Sequence, residues 1–135
     1  MQEFLNTVPK KFQRSFQVCI DMAKQNPDKF KLCCITMNKS GHITSMSFQS
    51  NTKSHPLQYH FAKKANKIEK IYLHAEIRTL IKAPKNPYAM LVVRVDLHDN
   101  LVNSRPCSIC QLAISQVTSL KYCYYTDNNQ IFNLF

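Results

Sequence analysis

Two short stretches hold the residues whose types and spacing could do chemistry: His74-Ala75-Glu76 and Pro106-Cys107-Ser108-Ile109-Cys110. Together they supply one imidazole, two thiols and one carboxylate. Three ligands of this kind leave the fourth tetrahedral position of a zinc ion to water. Two thiolates and a neutral histidine cancel the charge of Zn2+, so bound water is activated toward hydroxide near neutral pH. Glu76, two positions beyond His74, points past such a metal and is placed to move the water proton. The spacing therefore reads as a hydrolytic zinc centre with one ion per chain, His74, Cys107 and Cys110 as ligands and Glu76 as proton shuttle. Each half alone is weak evidence, because Cys-x-x-Cys is also redox or structural-zinc spacing. Cys123 or His98 would supply the fourth ligand of a structural site.

The elements around these stretches follow from periodicity. Phe12, Phe16, Cys19, Ile20 and Ala23 fall at helical spacing over residues 8–25, with Lys10, Lys11, Arg14 and Lys24 largely opposite. Phe30 to Met37 and His42 to Gln49 read as an antiparallel strand pair across the turn Asn38-Lys39-Ser40-Gly41. Leu57, Phe61, Ala65 and Ile68 form a second amphipathic stripe, and Leu73, Ile77, Leu80 and Ile81 a third that opens at the His-Ala-Glu triplet. Tyr88 to Val95 is the clearest strand. After a polar loop from Asp96 to Ser104, Cys107 opens a helix with Cys110, Ala113, Ile114 and Val117 on one face. Leu120 to Tyr125 and Ile131 to Phe135 are two further strands. A helix N-terminus at His74 and another at Cys107 would favour thiolates and an anionic intermediate, and Pro106 suits a helix entrance. Only ten residues follow Tyr125, and a parallel crossover needs about a dozen or more, so the last strand must return antiparallel.

Composition bounds the rest. At 135 residues the chain suits one α/β domain over residues 1–135, with helices on the faces of one mixed sheet. Gly41 is its one glycine, which excludes a Gly-rich phosphate loop. No apolar run approaches the roughly 18 residues of a membrane span, and the N-terminus carries no signal-type apolar core. The expectation is a soluble, intracellular, cytoplasmic protein whose six cysteines are reduced. The net charge of +10, from 18 basic and 8 acidic residues, favours an anionic partner such as a nucleotide phosphate or a nucleic-acid backbone. Solubility alone would also account for it.

The His-x-Glu…Pro-Cys-x-x-Cys pattern resembles the zinc-dependent cytidine and nucleotide deaminase superfamily, in element order as well as motif. The resemblance implies a three-layer α/β/α cytidine-deaminase-like fold with a mixed five-stranded sheet and an antiparallel C-terminal hairpin. It implies a water attacking C4 of cytosine, or C6 of adenine, with Glu76 returning the proton to the departing amine. It further implies that Asn51 contacts the ribose and that backbone groups of Ala75 and Arg105 face the base. Family members often pair subunits, which implies a homo-oligomer. Short free-standing cytidine deaminases usually carry cysteine where this chain has His74, whereas the C-terminal hairpin resembles their branch; the hairpin, being geometric, weighs more. The segment from Asn51 to Lys70 has a lysine face, and Lys53, His55, Lys63, Lys64 and Lys67 are expected phosphate or nucleic-acid contacts. A solvated helix face reads equally well there. The substrate expected is a cytosine nucleoside or nucleotide, with a base in single-stranded nucleic acid as the alternative and a non-catalytic zinc-stabilised binding domain as the third reading.

Overall fold

Apolar periodicity becomes burial along the first helix. The computed structural model of the chain describes residues 3–27, 31–48, 56–65 and 74–135. A short 3-10 turn, Glu3–Thr7, leads into α1, Lys10–Gln25. Phe12, Phe16, Cys19, Ile20 and Ala23 are all buried, and Ser15 joins them on that face. Asn26 ends the helix with its N–H donated to the Ala23 carbonyl, and Pro27 cannot continue it.

Strands β1, Lys31–Met37, and β2, Ile43–Phe48, pair antiparallel as the turn between them requires. That turn explains the lone glycine. Gly41 has φ +92°, and a Cβ there would sit 1.9 Å from the Lys11 carbonyl oxygen. Only glycine lets the turn approach α1 so closely. The Ser15 hydroxyl fastens the approach by donating to the Gly41 carbonyl.

Helix α2, Pro56–Lys64, and helix α3, Ala75–Lys82, precede β3, Ala89–Val95. Helix α4, Ser108–Ser115, then leads to β5, Tyr122–Asp127, and β6, Gln130–Asn133. The sheet order is β2-β1-β3-β5-β6, with β3 and β5 parallel and the other neighbours antiparallel. The final hairpin returns antiparallel through Asn128 and Asn129, whose φ values of 49° and 56° fit a tight two-residue turn. The expected architecture stands as an α/β fold with a mixed sheet.

The expected count of five strands does not stand. Among the described residues the sheet has six strands, because Leu101–Val102 forms β4 and pairs with β3 at Val95 and Arg94. The stretch from Asp96 to Ser104 reads as polar loop, and two apolar residues are too few to show periodicity. The turn itself makes the strand: the Asp96 carboxylate accepts the N–H groups of His98 and Asn100, 2.8 and 2.9 Å away, and Asp99 takes φ 63°. The chain therefore folds back onto β3.

Alternation along β1 and β3 divides two cores. Cys33, Ile35, Met37, Leu91, Val93 and Val95 face α1, where Phe16 meets Tyr124 edge to face at 5.1 Å. Leu32, Cys34, Met90 and Val92 face the opposite way, toward α3 and α4. Helices thus cover both faces of the sheet. All six cysteines are free thiols. No helix among the described residues is long and apolar enough to cross a membrane.

Candidate metal centre

The two chemical stretches start two helices at one end of the sheet. His74 is the residue before α3, with extended backbone at φ −72° and ψ 153°, and Cys107 stands in the same position before α4. Neither uses its side chain as a helix cap, so both side chains are left for other partners. The His74 N–H donates to Oε1 of Gln58 at 3.2 Å, and Gln58 is fully buried. Gln111 holds the other entrance, its Nε2 donating to the Pro106 carbonyl at 2.7 Å. Cys110 lies one turn into α4 and faces back toward the entrance.

This brings three ligand atoms together. His74 Nδ1 is 3.3 Å from Cys110 Sγ and 3.6 Å from Cys107 Sγ, and all three atoms lie within 4.8 Å of one another. A tetrahedral zinc with bonds of about 2.0–2.1 Å to nitrogen and 2.3 Å to sulfur sets nitrogen–sulfur edges of roughly 3.6 Å. The donor set fits that ion in both chemistry and spacing. Among the described residues neither expected fourth ligand joins it. His98 is exposed in the turn after β3, and the buried Cys123 lies outside the cluster. The cluster is therefore a three-ligand set, as a centre with an open position requires.

The electrostatics suit a cation. The Cys107 thiol is drawn down to about 3, chiefly by the hydrogen bond from the Cys110 thiol, with help from His74 and the Cys110 amide. Cys110 moves the opposite way, pushed up by that same hydrogen bond and by burial. One proton thus stays on Cys110, and a metal that binds both sulfurs must displace it. Glu76 is 5% exposed, and burial raises its carboxyl above the ordinary value, opposed by its own backbone amide and by His74. Its carboxylate interacts with the Cys110 thiol. Behind it, burial and then the Glu76 charge raise Cys34, and push Cys123 up to about 12. These two thiols stay neutral.

A cavity of about 170 Å³ opens beside the cluster, lined by His74, Glu76 and Cys107 together with Leu32, Arg94, Asn103, Ser104 and Arg105. A cavity of roughly 150 Å³ is room for one six-membered ring. Ser104 fixes its floor. The Ser104 hydroxyl donates to the Val92 carbonyl at 2.7 Å and accepts the Thr126 N–H at 2.7 Å, tying the approach to Cys107 to both parallel strands.

The remaining expected residues divide. Arg105 lines the cavity, with its guanidinium 5.9 Å from the Tyr125 ring. Ala75 is fully buried, packed in the core with Cys34, Met90 and Val92. Lys63 and Lys64 are exposed in the last turn of α2, away from the cavity lining. Asn51, Lys53, His55 and Lys67 lie outside the described residues. Sequence reasoning missed Gln58, Arg94 and Asn103. Arg94 left a signal, since a guanidinium inside the apolar run Met90-Leu91-Val92-Val93-Arg94-Val95 must have a polar destination. Comparison of the chain with protein-family models and with curated proteins finds no match.

Proposed function

We propose that this chain is a zinc-dependent hydrolytic deaminase that converts cytosine to uracil in a nucleoside or nucleotide. The carrying observation is the clustering of His74, Cys107 and Cys110 beside a ring-sized cavity that His74, Cys107 and the buried Glu76 line. His74, Cys107 and Cys110 would hold the zinc, whose Lewis acidity makes water a nucleophile near neutral pH. Glu76, held buried and of raised proton affinity, would move a proton from the attacking water to the leaving amine. Leu32 gives the cavity an apolar lining residue, and Asn103 and Arg105 give it polar ones. A redox role for Cys107 and Cys110 is the weaker reading, since it leaves His74 and Glu76 without work.

The test is Glu76→Gln in zinc-loaded protein. Loss of a general acid–base is worth roughly 10²–10⁴ in rate, so the variant should keep one zinc and lose uridine production by that factor. Unchanged turnover in the variant would remove Glu76 from the chemistry. Absence of ammonia release by the unaltered protein from cytosine and adenine nucleosides, nucleotides and oligonucleotides would remove the deaminase reading altogether.

A further inference from the structure

The metal cavity does not end at Arg94. A second cavity of about 470 Å³ shares Arg94 and Asn103 with it and continues along the end of the sheet past Lys31, Val95, Leu97 and Val102. Building on the deaminase reading, we propose that this groove is a phosphate subsite, which selects a cytosine carrying a phosphorylated sugar over the bare nucleoside.

Three basic residues line the two cavities. Arg94 belongs to both cavities, Arg105 lines the first, and Lys31 lines the second. The β1–β3 register pairs Leu32 with Arg94 and Lys31 with Val95, so both basic residues lie at the same end of the sheet, Lys31 on its α1 face and Arg94 on the face of the metal cavity. Leu32 on β1 and Arg94 on β3 then form one wall of the metal cavity. Lys31 is anchored on the other side, its Nζ donating to the Lys24 carbonyl at 3.1 Å. The acid in the groove is Asp96, whose carboxylate is turned into its own loop. It accepts the His98 and Asn100 amides at 2.8 and 2.9 Å and the Asn100 side chain at 3.2 Å. The apolar stretch Val95, Leu97 and Val102 gives a sugar a surface to lie on, and Leu97 is 81% exposed at its edge.

Size and order agree with this use. A cavity that holds one ring is followed directly by a larger one with cations, which is the sequence of base, sugar and phosphate in a nucleotide. A phosphate oxygen gains charge-assisted hydrogen bonds from Arg and Lys that a hydroxyl does not. The same chemistry serves the 5′-phosphate of a free nucleotide and the phosphodiester of a strand.

Calorimetric binding to zinc-loaded protein reads the subsite whether or not turnover follows. Cytidine, cytidine 5′-monophosphate and a trinucleotide with a central cytosine are compared, with inorganic phosphate as competitor. The monophosphate should bind about tenfold or more tightly than cytidine, as one added charge-assisted contact predicts. Inorganic phosphate should displace the monophosphate and spare cytidine. Lys31→Gln and Arg94→Gln, each checked for folding by thermal melting, should bring the monophosphate-to-cytidine affinity ratio toward one. A trinucleotide tighter than the monophosphate assigns the phosphate to a strand, and the reverse order assigns it to a free nucleotide. Equal affinity for cytidine and its monophosphate, or a ratio that both variants leave intact, overturns the subsite. Phosphate-dependent binding without ammonia release would leave the subsite standing and the deaminase reading fallen.

Discussion

Ser104→Ala isolates the joint on which the metal site hangs. The hydroxyl of Ser104 accepts the Thr126 N–H at 2.7 Å, donates to the Val92 carbonyl at 2.7 Å, and lies 3.0 Å from the Thr126 hydroxyl. Ser104 is 5% exposed and Thr126 fully buried, so water cannot take the place of the lost group. Alanine leaves the Thr126 amide orphaned in the interior, at a cost of about 1–3 kcal/mol, and removes weaker bonds besides. We expect a loss of roughly 2–3 kcal/mol. Unfolding entropy of about 2.1 cal/mol/K per residue makes each kcal/mol worth ~3–4 °C in a chain of 135 residues. The melting temperature should therefore fall by roughly 7–11 °C in metal-free protein, followed by circular dichroism. Cys107 follows Ser104 by three residues, so zinc affinity should weaken as well, read by competition with a chromophoric chelator. A shift below about 2 °C with intact zinc affinity would refute the reasoning, since the Thr126 amide would then have another partner.

Three further outcomes follow from the geometry. Cys110→Ala removes one of the three proposed ligands and should reduce bound zinc from about one per chain to a small fraction, measured by elemental analysis after gel filtration; full retention would contradict the proposed ligand set. Gly41→Ala places a methyl 1.9 Å from the Lys11 carbonyl at φ +92°, and strain with overpacking should cost about 2–5 kcal/mol, visible as a lowered denaturant midpoint. Asp96 is held below its usual value, first by the Asn100 amide and also by that of His98. Its contribution to the turn is therefore complete above the ordinary Asp range and is lost as pH falls through the depressed folded value. The His98 and Asn100 amides should lose hydrogen-exchange protection over that acidic interval, and Asp96→Asn should show no such transition.

How much of this was legible in the sequence varies by physical cause. The clustering of His74, Cys107 and Cys110 was legible because each residue type is rare in its place and the helix starts are marked by apolar stripes that begin at His74 and Cys107. Helix α1 was legible for the same reason, since five apolar positions at helical spacing all become buried. Strand β4 was not, because a two-residue strand has no period and exists through the Asp96 turn. Gln58 was hidden for another reason. Its neighbours Leu57 and Phe61 set a helical stripe that assigns Gln58 no particular role, and only the tertiary placement of α2, packed on α4, brings the buried Gln58 to the His74 amide. Side-chain pairs that link separate elements leave no local signature, and both Gln58–His74 and Ser104–Thr126 are of that kind.

Topology explains why two motif halves 33 residues apart in the chain meet within 3.6 Å. β1 and β3 are antiparallel, so the start of β1 at Lys31 lies beside the end of β3 at Val95. Helix α3 lies along β1 and β2 and begins at that same end, where its His74 shares a cavity with Leu32 and Arg94. β3 then carries the chain back, and α4 can only start there, because β5 must run parallel to β3. Ligand sites of open α/β sheets occupy this position, beyond the carboxyl ends of the parallel strands. The turn from Asp96 to Asn100, between β3 and β4, lies upstream of the Ser104 clamp and contributes no metal ligand among the described residues. Its length and charge are thus free to change without moving His74, Cys107 or Cys110. Shortening it by replacing residues 97–99 with a tighter turn should alter monophosphate affinity while leaving zinc binding intact. Loss of zinc in that variant would mean that the turn supports the metal, against the division drawn here between a clamped centre and an adjustable groove.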